Sequence, residues 1–274
     1  MWNLIKMDFY RLFTSKTIKV GAIMACLICA GYMLMSLGIV ELIKLTVGSA
    51  PLGGTGMEIF LPVIAWITGT NFSVIVFSGT SAFSLFIGCM ICASFIGSEQ
   101  SCGYTKNFAG QLPNKGYMAI SKFVVTALAQ VMIFAIYVIV SSLLAVVLFG
   151  SSYITSYDII ALLPALALRL MLYLAIDAII IFICTLTKSH AVAMVIGCIF
   201  GFGVTKFVYL IAGMILGMLK INIPIADYMP DGIDSQLTVN SADSLAVKAI
   251  VVSLIFTVVF VAANYFVLRK RDVK

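Results

Sequence analysis

Charge is what this chain has least of. Seventeen Lys and Arg and 11 Asp and Glu make up 10% of its 274 residues, against about a quarter in an ordinary globular domain. Together with 62% hydrophobic residues and a mean hydropathy of +1.15, this excludes a soluble protein and indicates an integral membrane protein. At roughly 20 residues per crossing, the bilayer consumes most of the chain. No sizeable soluble domain fits in what remains, so 1–274 reads as a single transmembrane domain.

Other scarcities exclude chemistries. There is one histidine, His190 in the turn "TKSHA", so a Ser/His/Asp triad would have to stand at the membrane surface, without a G-x-S-x-G motif. No H-E-x-x-H metalloprotease motif and no G-x-x-x-x-G-K-[ST] phosphate loop occurs. The chain is therefore not expected to be an enzyme, and any energy drawn from ATP would come through a partner. Cys26 and Cys29, and Cys89 and Cys92, have C-x-x-C spacing, but no basic residue or histidine stands near them to favour the thiolate that a metal requires. They read as small hydrophobes, and no metal is expected.

What is present is a series of long apolar runs, too long for the ten-residue alternating segments of a barrel. The expected fold class is all-α, with six transmembrane helices near 20–40, 74–97, 123–149, 158–187, 190–212 and 248–268. On this count Lys6, Arg11, Lys16, Lys19, Lys106, Lys115, Lys122, Lys188, Arg269, Lys270, Arg271 and Lys274, 12 of the 17 basic residues, fall on one side. The positive-inside rule makes that side, with both termini, cytoplasmic. The net charge of +6 is thereby a matter of orientation, and no nucleic-acid partner is expected. Before the first span, residues 1–19 carry Trp2, Ile5, Phe9, Leu12 and Phe13 on one helical arc, with Asn3, Asp8 and Arg11 away from it. That pattern predicts an interfacial helix on the inner leaflet, retained and not cleaved as a signal peptide.

Three ionisable residues fall inside predicted spans: Arg169 and Asp177 in the fourth and Lys206 in the fifth. Each should face protein or water, as a pathway group or in a structural pair such as Asp177 with Lys206. Pro164 can kink the fourth span. The pairs Gly197/Gly201 and Gly213/Gly217 form G-x-x-x-G packing patterns suited to close helix contacts or a dimer seam. The polar segment 220–248 carries Asp227, Asp231, Asp234 and Asp243 without calcium-loop spacing, and these read as solvated.

Between two uncharged runs, 59–98 and 123–157, stands the polar island "GSEQSCGYTKNFAGQLPNKGYMAISK" (97–122). Glu99 closes the second span, glycines and Pro113 break regular structure, and "YTKNFAG" suits a short surface helix. An acid, a glycine four on and a base three further (Glu99, Gly103, Lys106), then "NFAGQLPNKGYMAISKF" and the N-terminal "LIKMDFYRLFTSK", resemble the ABC-2 type permeases, in particular the small ones of Gram-positive bacteria. The resemblance extends over the whole chain. It implies an N-terminal elbow helix (1–19), a cytoplasmic coupling loop (98–122) in which Glu99, Gly103, Lys106, Asn107 and Phe108 serve a separate ABC ATPase, and a second contact at Lys188 and His190. It also implies an outer gating segment and loop (213–247).

The function so implied is that of the transmembrane subunit of an ATP-driven exporter in the bacterial cytoplasmic membrane. It would pair with a second permease subunit, identical or different, within the lipid bilayer. ATP and magnesium would sit on the partner ATPase, with no cofactor in this chain. Cargo would be hydrophobic or amphipathic: a peptide, an antibiotic or a lipid, including self-immunity or toxin export and multidrug or antibiotic resistance. The alternative is an ATPase-independent secondary transporter or channel, for which Arg169, Asp177 and Lys206 speak.

Overall fold

The computed structural model describes residues 2–49, 76–77, 80, 82–101, 115–149, 156–187, 189–218, 224–239 and 241–270. Among these, all regular structure is helical. A short amphipathic helix, α1 (Trp2–Thr14), is followed after Ser15 by α2 (Lys16–Ser49), then α3 (Ala82–Ser101), α4 (Tyr117–Phe149) and α5 (Ser156–Thr187). The remainder comprises α6 (His190–Gly201), α7 (Thr205–Met218), a 3-10 turn (Ile225–Tyr228), α8 (Pro230–Gln236) and α9 (Asp243–Lys270).

Among the described residues four stretches are long and apolar enough to cross a membrane: Lys16–Met35, Tyr117–Leu148, Ile160–Thr187 and Asp243–Lys270. The bent pair α6 and α7 makes a fifth if counted as one span. The chain is a multi-pass membrane protein with four to five such helices among its described residues. The six expected spans are therefore met in part. The second corresponds to α3, whose apolar portion, Phe83–Glu99, is shorter than a standard crossing. Pro164 leaves α5 continuous, since losing one N–H does not end a helix whose neighbours hold it.

The expected fifth span, 190–212, is not one helix. It breaks at Phe202–Val204, and α7 leaves α6 at 73°. The local chemistry is a glycine-capped helix end: Val204 N–H donates to Ile199 O (3.0 Å) and Gly203 N–H to Phe200 O (3.1 Å). Gly203 sits at φ +68°, the left-handed conformation that this cap requires and that glycine adopts without cost. Both sides of the bend are strongly apolar apart from Thr205 and Lys206, so hydropathy conceals it.

Helix α5 is the central element. It packs on α9, α3, α4, α6 and α8, and buries Leu172, Tyr173, Ile176, Ile180 and Ile181 in the core. Helices α2 and α9 are peripheral and expose much of their apolar surface, as expected of faces turned to lipid. At one end of the bundle Leu4 of α1 packs with Met118 and Ala119 of α4 and Leu268 of α9. At the other, Leu172 of α5, Ile233 of α8 and Ala249 of α9 form a separate apolar contact. Two polar clusters stand close to these two ends.

Candidate functional site

The first cluster joins α1 to the helices on either side of the polar island. Glu99, two residues from the end of α3, is 1% exposed. Arg11 Nη1 of α1 donates to its Oε1 at 2.9 Å, and Lys122 Nζ of α4 stands 2.7 Å from its Oε2. The Arg11 guanidinium also lies over the Phe95 ring, 5.0 Å from its centroid. One turn away on α1, buried Asp8 accepts from Ser121 Oγ at 2.6 Å. Burial pushes the Asp8 carboxyl above its ordinary range, with the Ser121 hydrogen bond opposing that shift.

This geometry refines the reading of α1. Trp2 and Tyr10 are exposed, as an interfacial face requires. Of the polar positions Asn3, Asp8 and Arg11, however, only Asn3 is exposed: Asp8 and Arg11 face protein and dock the helix. Glu99 is buried in this junction and presents no surface to a partner. Gly103, Lys106, Asn107 and Phe108 lie outside the described residues, as does Lys188. His190 begins α6, and its side chain is likewise outside them.

The second cluster is built around Arg169 of α5. Its Nε donates to Asp234 Oδ1 of α8 at 2.9 Å, while Nη1 donates to Phe77 O and Thr80 Oγ1. The guanidinium stacks on the Phe77 ring, 3.5 Å from the centroid. Three residues earlier on α8, Asp231 receives the Tyr209 hydroxyl at 2.8 Å and the Thr205 hydroxyl, both from α7. Two carboxylates on one short helix thus hold it to two different neighbours. Gly232, between them, packs α8 so close to the 3-10 turn that an added Cβ would lie 2.0 Å from Ala226 O.

Asp231 and Asp234, expected to be solvated, are 3% and 9% exposed. The chain folds back at Pro224–Gln236 and carries both into the bundle, which their spacing in a polar stretch does not reveal. At the surface of the same segment, Asp227 accepts from Gln236 at 2.7 Å and pairs with Lys248 at 3.3 Å. The Gln236 bond first, and Lys248 second, draw its carboxyl below the usual range.

The expected pair between Asp177 and Lys206 does not form. Arg169 takes Asp234 instead, and the α6–α7 bend carries Lys206 to an exposed position. Asp177 is fully buried in α5, near Cys89 and Cys92 of α3. Neither of its oxygens has a hydrogen-bond partner among the described residues, an uncommon condition for a buried polar group. Gln130 of α4 is also buried, with no hydrogen-bond partner for its amide among the described residues. Among the described residues no group of three or more His, Cys, Asp or Glu could hold a metal ion. Cys26 points outward while Cys29 is buried.

No family model matches this chain. No curated protein matches it either. The functional reading therefore rests on the residues and their geometry.

Sequence reasoning singled out Glu99, Arg169, Asp177 and Lys206 but missed Asp8, Gln130, Asp231 and Asp234. For Asp8 a signal was available: a carboxylate beside the apolar arc of a helix rich in large side chains. For Asp231 the signal was "MPDG", a proline and an acid suited to the first turn of a helix.

Proposed function

We propose that this chain is the transmembrane subunit of an ATP-driven exporter of the ABC-2 type, powered by a separate ATPase that carries ATP and magnesium. It moves a hydrophobic or amphipathic substrate such as a peptide, antibiotic or lipid out of a bacterial cell. In this reading α2, α3, α4, α5, the broken α6–α7 pair and α9 are the six membrane passages. Helix α1 is the elbow on the cytoplasmic leaflet, and a second permease subunit completes the path.

The observation that carries the reading is the junction at Glu99. Arg11 and Lys122 meet one buried carboxylate, so the amphipathic helix and both helices bounding residues 102–114 are tied at one point. A push on that polar segment from a cytoplasmic partner is delivered to three helices together. Buried ion pairs are weak contributors to net stability but fix geometry when every member is paired. That property suits a force-transmitting joint.

The test is purification of tagged protein from its native membrane in mild detergent, with identification of bound proteins. The reading expects an ABC ATPase, retained by Glu99→Asp and lost from Lys106→Glu, which reverses a charge within the polar segment. A folded protein that carries no ATPase in several detergents overturns it.

A second reading, an ATPase-independent secondary transporter or channel, is favoured by Asp177, a buried carboxyl in the core of the bundle without a hydrogen-bond partner among the described residues. Ion-coupled transport in ATPase-free liposomes, abolished by Asp177→Asn, would select it.

A further inference from the structure

We propose that the cavity between the α6–α7 bend, α5 and α8 binds a small zwitterionic group. Its ammonium lies against Asp231 and its phosphate or carboxylate against Lys206. The cavity has a volume of about 230 Å³, below the roughly 300–1,000 Å³ of pockets that take drug-sized ligands. It accommodates a headgroup or one end of a larger molecule.

Four charged side chains line it: Arg169, Lys206, Asp231 and Asp234. Two of these satisfy each other, because Arg169 is bound to Asp234, and its remaining hydrogen bonds among the described residues go to Phe77 O and Thr80 Oγ1. The other two have no opposite charge paired with them among the described residues. Among the described residues, both oxygens of buried Asp231 are met only by the neutral hydroxyls of Thr205 and Tyr209. Exposed Lys206 makes no ion pair among the described residues, although it follows Thr205 directly in the chain. Hydroxyl donors hold a carboxylate in place but leave its charge, and a cation arriving from outside supplies the stronger charge-assisted bond.

A lone anion would be drawn to Lys206 and repelled by Asp231, and a lone cation the reverse. A ligand with both charges answers both walls. Ser235 adds a hydroxyl to the lining, and Leu85, Phe200 and Phe202 give apolar contact to whatever chain follows the charged group.

Two sources share this chemistry: an aminophospholipid headgroup and a free zwitterion. The exporter reading is needed only to regard the bound molecule as cargo. The binding itself is measured on the permease alone, so the absence of a co-purifying ATPase and the absence of ligand binding are separate results.

The experiment is calorimetric titration of the purified chain in detergent with O-phosphoethanolamine and with short-chain phosphatidylethanolamine, and with inorganic phosphate and ethanolamine as single-charge probes. Both zwitterions are expected to bind saturably, at least about tenfold more tightly than either single-charge probe. Lys206→Gln and Asp231→Asn should each weaken them by about tenfold or more. Equal affinity of the two zwitterions identifies a free-ligand site, and a clear preference for the lipid identifies a headgroup site. Phosphate binding as tightly as the zwitterions, no saturable binding of either zwitterion, or unchanged binding by Lys206→Gln overturns the proposal. Because Lys206 is exposed, its substitution leaves the fold intact and keeps the test decisive even if Asp231→Asn does not fold.

Discussion

Asp8 shows how much one side chain contributes at the residue scale. Its carboxyl is buried against Ser121, and burial raises its pKa above the ordinary 3.8. Glu99 nearby adds to that rise, while Lys122 and Arg11 oppose it. Between the free value and the raised value, docked Asp8 holds a proton that undocked Asp8 has lost. Docking of α1 should therefore strengthen as pH falls through that window and weaken as pH rises through it. Thermal unfolding of the detergent-solubilised protein from about pH 8 to about pH 4 checks this. Asp8→Asn, which keeps an oxygen for Ser121, should flatten this contribution to the pH slope. Asp8→Ala should also remove this pH-dependent contribution and, at the acid end of the range, cost about 1 kcal/mol by leaving the Ser121 hydroxyl without its acceptor. An Asn variant with the wild-type slope would refute the assignment.

At the scale of elements, the two G-x-x-x-G patterns turn out to differ. Gly197 and Gly201 of α6 face α3 inside this chain: a Cβ at 201 would lie 2.7 Å from Phe86 Cα, and one at 197 would lie 3.3 Å from Cys89 O. Gly213 and Gly217 of α7 have nothing within 4 Å of an added Cβ. The first pair is therefore a helix-packing seam within the subunit. Gly201→Val should destabilise the protein by about 1–3 kcal/mol through overpacking against backbone that cannot yield. Gly213→Val should leave monomer stability within about 0.5 kcal/mol. Urea or thermal unfolding of both variants in the same detergent distinguishes them, and equal losses would show that the seam is misplaced.

At the scale of the whole molecule, Leu4 and Leu268 meet at one end of the bundle, and the Arg169 and Asp231 cluster gathers near the other. An even number of passages follows if the described helices span a bilayer in the proposed orientation. Thr14→Cys and Ala242→Cys, introduced into a cysteine-free background, place a reporter near each end. A membrane-impermeant maleimide added to intact cells should label position 242 and spare position 14, and disruption of the membrane should expose both. Labelling of both positions in intact cells would rule out this topology.

Composition and the length of the apolar runs together determined that the protein is helical and membrane-embedded, because a backbone in lipid must be satisfied within helices or a closed barrel and these runs are too long for barrel strands. They also marked Glu99, Arg169, Asp177 and Lys206 as unusual, since charge among apolar neighbours is conspicuous in one dimension. Only the tertiary structure decided the partners. Arg169 and Asp234 are 65 positions apart, and Arg11 and Glu99 are 88 apart, separations across which no local pattern carries information. The break between α6 and α7 was decided locally, by a glycine cap, yet hydropathy hid it because both sides of the bend are equally apolar. The burial of Asp8, Asp231 and Asp234 could not be read from residue type, because a carboxylate looks the same in sequence whether it faces water or a hydroxyl folded against it.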